Sequence, residues 1–317
     1  MFNVAIIGAG QLGSRHLQGL KGAASPLSIT VVDSSTGSLN VAKDRYDAMP
    51  CVGEKVVTFC DNISQLPQEI DMVIVATGSK PRAAIVKSLL SNRQVKNLVL
   101  EKVLFPKLSE YDEIEHLLDE HQVNAWVNCP RRMFGMYQQI AQLIGRDKPT
   151  IMTSAGENWG ICCNGIHIID IFMYLTGEKE YSIDVTGLHP EIQQSKRQGY
   201  IEMTGTIRIT TTSGSSLTLV SENEYEGSKG KFIHNGNLDI VIDEGKGFWR
   251  KNDQEISYKM PFQSQLSGLL ADGMLMAGNC ALTPYKVSAS YHRPFIEALL
   301  KKYIEITGET TDLLPIT

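Results

Sequence analysis

Three glycines carry the first sign of chemistry in this chain. Gly8, Gly10 and Gly13 stand in GAGQLG, directly after the apolar run FNVAII. Between a strand and a helix, such a triplet cradles a pyrophosphate. The first glycine allows the tight turn, the second lets backbone approach the phosphates, and the third lets the helix pack on the strand. A helix starting at Gln11 and Leu12 adds unpaired N–H groups and the positive end of its dipole. Asp33 closes the next apolar run, where a carboxylate can accept hydrogen bonds from an adenosine ribose diol. The same charge repels a 2′-phosphate. Ser34, Ser35 and Thr36 supply no cation to offset it, so NAD is favoured over NADP. The bland alternative is a sharp glycine turn with Asp33 capping a loop, and the strand–turn–helix context argues against it.

Those residues need a doubly wound sheet to hold them. Residues 3–7, 28–33, 56–60, 71–77, 97–101 and 124–129 read as strands, most of them nearly all apolar, as strands buried on both faces are. Residues 12–22, 39–48, 81–91 and 108–120 read as the helices between them. The alternation predicts an N-terminal parallel, Rossmann-type α/β domain over 1–122. From 123 to 317 the texture changes to an α+β domain with a large, mostly antiparallel open sheet. A strand at 149–154 and a helix at 161–175 lead into it. Residues 201–212 and 215–221 flank Ser213-Gly214 as a hairpin. Strands follow at 232–233, 238–242, 248–251 and 255–259, then helices at 264–277 and 287–306, with the C-terminal helix able to pack back on the first domain.

With His16 included, GAGQLGSRH resembles the GxGxxGxxH opening of the glucose–fructose oxidoreductase/inositol dehydrogenase/MocA family. Glu101-Lys102 is similar to the start of that family's EKP motif. GIHIID, with His167 and Asp170, is similar to its DxxxHxxD helix, and residues 128–132 to its crossing into the second domain. The resemblance spans nearly the whole chain. It implies an NAD(P)-dependent oxidoreductase that moves a hydride between nicotinamide and a carbon of a sugar, cyclitol or nucleotide-activated sugar. It also implies a homo-oligomer formed through the second-domain sheet. Cofactor contacts fall at Gly8, Gly10, Gln11, Leu12, Gly13, Asp33, Thr77, Gly78, Glu101 and Lys102. Lys102 would orient substrate near the nicotinamide, and His167 would exchange a proton with the reacting hydroxyl. General chemistry suits both: oxidising an alcohol leaves a proton to be removed, and an ammonium stabilises charge developing on oxygen.

Each assignment has a bland rival. Glu101-Lys102 could be an ion pair at a strand end. His167, among Ile166, Ile168, Ile169 and Phe172, could be a core histidine. Asp170 could orient the imidazole or bond backbone. Trp159 could stack on a sugar or anchor the entry to its helix. Asn164 could bond substrate. Arg131, Arg132, Lys196 and Arg197 could recognise an anionic substrate or belong to solvated surface. The combination NWG…CNGIH…D is similar to family members acting in surface-polysaccharide sugar pathways.

Three departures stand out. Val103 occupies the position of the EKP proline, so any special backbone geometry from proline is absent or must arise otherwise. Cys163 stands where an acidic residue is expected four before His167. After the fourth strand the run is TGSKPR, with Gly78 and Arg82. Val103 and Cys163 motivate an alternative from another class, an NAD-binding regulator without turnover. Cys162, Cys163 and His167 do not make a metal site, because adjacent cysteines on a helix diverge by about 100° and no fourth ligand is evident.

Composition narrows the field further. A formal charge of -5 argues against a nucleic-acid surface. No apolar run approaches the roughly 20 residues of a membrane span, and FNVAII reads as a strand rather than a leader. Six cysteines without a CxxC pair suggest free thiols in a reducing compartment, by default the cytoplasm.

Overall fold

The runs at 4–7, 29–32 and 72–75 bury every side chain, the pattern of strands covered by helices on both faces. The structure, a computed structural model, describes residues 1–317 and comprises two units. The first begins with β1 (Phe2–Ile7), α1 (Gln11–Leu20), β2 (Leu27–Val32), α2 (Thr36–Asp47), β3 (Lys55–Cys60), β4 (Glu69–Val75), α3 (Ser79–Asn92), β5 (Gln94–Leu100), α4 (Ser109–Glu120) and β6 (Asn124–Val127). These six strands lie parallel in the order β6-β5-β4-β1-β2-β3. The winding reverses between β4 and β1. Ligands of such sheets bind beyond the carboxyl ends of the strands at that point.

The second unit holds α5 (Gly135–Leu143), β7 (Ile151–Glu157), α6 (Ile161–Thr176), β8 (Ser182–Leu188), β9 (Gln193–Gln194), β10 (Ile201–Glu202), β11 (Gly205–Thr210), β12 (Ser216–Glu222), β13 (Gly230–Asn235), β14 (Leu238–Asp243), β15 (Phe248–Lys251) and β16 (Gln254–Ser257). Its eight-stranded sheet runs β16-β15-β14-β13-β7-β12-β11-β8. Only β12 and β7 pair in parallel. The Rossmann sheet and the mostly antiparallel open sheet are therefore both present. Residues 201–212 do not form one strand, however. Gly205 turns there at φ 115°, and a Cβ on it would lie 2.4 Å from the Gly187 carbonyl oxygen. The break frees β10 to pair with β9 and turns Glu202 toward α6.

The chain leaves the first unit after Pro130 and returns to it over Pro261–Tyr285. That return carries α7 (Gln263–Met276) and β17 (Thr283–Pro284), while α8 (Tyr285–Thr307) lies almost wholly in the second unit. Leu266, Leu270, Ala271 and Met274 of α7 are buried. Asp272 accepts the N–H groups of Ala24 and Ser25 and the Ser25 hydroxyl at 2.5–2.9 Å. β17 pairs antiparallel with β6 at the sheet edge, where Pro284 need not donate. No helix is long and apolar enough to cross a membrane.

Candidate active site

The glycine turn is built as its spacing demands. Gly8 sits at φ 98°, its N–H on the Val32 carbonyl at 2.8 Å. A Cβ on Gly13 would fall 1.8 Å from the Gly8 carbonyl oxygen, so α1 can start this close to β1 only with glycine there. A Cβ on Gly10 would meet nothing within 4 Å. The open space lies where a pyrophosphate would approach backbone. The N–H groups of Gln11, Leu12 and Gly13 lead the helix, and the first intrahelical bond is Ser14 N–H to the Gly10 carbonyl at 3.0 Å. The residues present fit a dinucleotide.

The loop after β4 closes on the same turn. Ala76 donates to the Ile7 carbonyl at 2.8 Å, and the Thr77 methyl lies 3.0 Å from where a Gly8 Cβ would sit. Gly78 caps α3 without a side-chain bond. Asp33 is fixed by two backbone donors, Ala9 N–H at 2.7 Å and Ser35 N–H at 2.8 Å, one on each carboxylate oxygen. Each oxygen keeps a lone pair for a ribose hydroxyl. An Asp33→Ala variant should lose about tenfold to a hundredfold in NAD affinity, the worth of one charge-assisted hydrogen bond. NADP affinity should fall less, because the repulsion goes too. Parallel fluorescence titrations with NADH and NADPH check this, and an unchanged affinity ratio would remove Asp33 as the selector.

Glu101, at the end of β5, is 2% exposed. Its Oε1 accepts from His16 Nε2 at 2.8 Å and Asn128 Nδ2 at 2.6 Å. A carboxylate only accepts, so His16 carries its proton on Nε2. His16 Nδ1 then faces the Ser267 hydroxyl of α7 at 2.8 Å. This buried network joins α1, β5, the end of β6 and α7. Lys102 follows Glu101 directly and is half-buried between fully buried neighbours. The Lys102–Val103 peptide is cis, so the special geometry arises at a valine.

In the second unit, α6 carries Asn164, His167 and Asp170. Gly160 caps it without a side chain, and Glu202 fills that role. Its two carboxylate oxygens accept the N–H groups of Cys162 and Cys163 at 2.9 and 3.0 Å. An acid thus stands beside Cys163 after all, delivered from β10. Burial, then Glu202, push the Cys162 thiol well up, so it is no nucleophile. Trp159 donates Nε1–H to the Val220 carbonyl at 2.7 Å, and Asn164 Nδ2 bonds the Trp159 carbonyl at 2.8 Å. Both contacts anchor the entry to α6. Asp170 holds Arg132 through Nε at 2.8 Å and Nη2 at 3.0 Å. Arg131 is gripped in the same bidentate way by Glu244. Both guanidinium charges are therefore matched within the unit. Arg197 is exposed on the 195–200 loop and bonds the Thr317 hydroxyl at 3.2 Å.

Sequence reasoning did not assign Glu202, Asn128, Ser267 or the inward pairing of Arg131 and Arg132. Only Asn128 left a trace, by lying in the segment at the domain crossing.

Residues 2–129 match the model of the GFO_IDH_MocA oxidoreductase family, with its NAD-binding Rossmann fold. The matched segment holds the glycine turn, Asp33 and Glu101. The fold of the chain beyond this segment is shared as well. UDP-N-acetylglucosamine 3-dehydrogenase from Acidithiobacillus ferrooxidans superposes with a TM-score of 0.70 at 13% identity, covering 94% of this chain and 97% of that one. An oxidoreductase from Agrobacterium radiobacter, crystallised with NAD+, L-tartaric acid and magnesium, gives 0.69 at 16% identity, with 98% of each chain covered. An oxidoreductase from Thermotoga maritima gives 0.71 at 16% identity, covering 95% and 96%. No curated protein matches the sequence.

Proposed function

We propose that the protein is an NAD-dependent oxidoreductase acting on a hydroxyl-bearing carbon of a sugar, cyclitol or nucleotide-activated sugar. The observation that carries the reading is the buried Glu101 network. It fixes the backbone from which Lys102 leaves the carboxyl edge of an NAD-binding sheet. When bound, NAD would supply the hydride acceptor for the alcohol carbon. Lys102 holds the reacting oxygen and stabilises the charge that develops on it. His167 takes the hydroxyl proton as general base and returns it in the reverse direction. Sugar as substrate class is supported by the dehydrogenase relative named for UDP-N-acetylglucosamine. With Arg131 and Arg132 turned to carboxylates, any anionic group of the substrate is left to Lys196 and Arg197.

The homo-oligomer belongs to the same reading. Across the second-unit sheet, Thr218, Thr153, Phe232 and Val241 lie in register, with Arg208 and Arg250 flanking them.

The test is the absorbance of reduced nicotinamide with NAD and a panel of UDP-N-acetylglucosamine, myo-inositol and D-glucose. At least one should be oxidised. Lys102→Ala should lower kcat about a hundredfold, as loss of one charge-stabilising group does, with a much smaller loss of NAD affinity by calorimetry. NAD binding without turnover of any alcohol would favour the regulator, and a fully active Lys102→Ala would overturn the site.

A further inference from the structure

Arg82 of α3 is among the largest side chains that the fold buries completely, at 1% exposure. All of its contacts described here lie within the first unit. Nη1 donates to the carbonyls of Val103 and Leu104, the latter at 2.8 Å, and Nη2 donates to the Thr77 carbonyl. A guanidinium is always charged and costly to take out of water. Its planar fork then fixes whatever acceptors it meets. Here the acceptors are backbone oxygens of two loops, the one after β4 and the one carrying Lys102.

The neighbouring residues are pinned as well. The Tyr111 hydroxyl donates to the Phe105 carbonyl at 3.1 Å, and Tyr285 donates to the Tyr111 carbonyl at 2.9 Å. On the other side Glu101 is held by His16 and Asn128. Val103, Leu104 and Phe105 are all 0% exposed. Lys102 is thus a half-buried residue between two flanks held by side-chain hydrogen bonds.

We infer that Arg82 is a positioning residue for Lys102. It sets the direction in which the Lys102 side chain leaves the carboxyl edge of the sheet, and it ties that direction to the Thr77–Gly78 loop. Sequence alone showed Arg82 only as a departure from the family pattern. The inference rests on the reading of Lys102 as the cation at the reacting oxygen.

Arg82→Met, Arg82→Lys and Arg82→Ala belong in the same alcohol panel as Lys102→Ala. Arg82→Met should lower kcat about tenfold to a hundredfold, the cost of misplacing a reacting group by an ångström or less. The KM for NAD should change much less than kcat, because Arg82 reaches the glycine turn only indirectly, through the Thr77 carbonyl. Arg82→Lys should recover part of the rate. Added guanidinium should rescue Arg82→Ala and leave Lys102→Ala unrescued. Amide exchange at 102–105 should quicken in Arg82→Met. If Arg82→Met fails to fold, Arg82→Lys and guanidinium rescue still decide. A wild-type kcat in Arg82→Met beside an inactive Lys102→Ala would overturn the role of Arg82 alone. Equal losses of NAD affinity and kcat without rescue would reduce Arg82 to a structural residue. Full activity of Lys102→Ala would instead sink the functional reading beneath it.

Discussion

A Gly13→Ala variant should bind no measurable NAD, with affinity lowered by at least about a hundredfold. The added methyl would sit 1.8 Å from the Gly8 carbonyl oxygen, far inside any tolerable contact. Both partners are backbone, so no side chain can rotate away. Either the Gly8 turn or the first turn of α1 must move by more than an ångström. The N–H cradle at Gln11–Gly13 moves with it, and the phosphates lose several donors together. Overpacking of this kind also costs about 1–3 kcal/mol of stability. Gly10→Ala separates the two effects. Its methyl meets no protein atom, and its backbone at φ -61° suits alanine. The fold should keep its melting temperature or gain slightly, since alanine narrows the unfolded ensemble. NAD binding should still weaken, because the methyl fills the space above the turn. Calorimetric NAD titration beside thermal melts reads both. Tight NAD binding by Gly13→Ala would show that the cofactor does not use this turn.

What the sequence disclosed follows from the range of the interactions involved. The glycine turn, Asp33 and the strands of the first sheet are local patterns, and each was legible because one short stretch contains its whole physical cause. α7 is different. Its periodicity announces a helix, but its partners lie on α1, with Ser267 meeting His16 at a separation of 251 residues. Nothing in 264–277 says which sheet will receive it. Glu202 is hidden for a related reason. A strand residue caps a helix from 39 and 40 positions away, so no capping motif appears at the head of α6. Arg131 and Arg132 were legible as cations but not as paired cations, because Glu244 and Asp170 meet them only in the folded chain. In the same way, Val103 is a missing proline by sequence. In the fold it belongs to a segment held by Arg82 from another helix.

The second large effect expected is on stability, at Glu244. Its carboxylate collects four donors: Arg131 Nε at 2.9 Å and Nη2 at 2.8 Å, Tyr137 Oη at 2.6 Å and Lys231 Nζ at 3.1 Å. The cluster ties the turn after β14 to α5 and to the chain just past Pro130. Burial by itself would raise the Glu244 pKa, but Arg131, Lys231 and Tyr137 outweigh it and hold the carboxyl well below the usual range. Burial also pushes the Tyr137 hydroxyl up, and Glu244 adds to that, so it stays a donor. Lys231 is lowered, chiefly by burial. Removing Glu244 leaves two cations facing each other with no counter-charge. With Glu244 and Arg131 each a fifth exposed, Glu244→Gln should cost about 3 kcal/mol, the lower end for a broken buried pair. The signs follow from linkage. A depressed carboxyl stabilises the fold above its unfolded value of about 4.3, and the contribution fades as pH falls below it. Wild type and variant should therefore converge in acid. Above neutrality the variant should regain stability as the buried Lys231 sheds its proton more readily than in the unfolded chain, where it titrates near about 10.4. Urea melts at about pH 3, 7 and 9.5 should show the widest gap at the middle value. A gap under about 0.5 kcal/mol at neutral pH would place Glu244 among ordinary surface residues and leave the cluster without its energetic role.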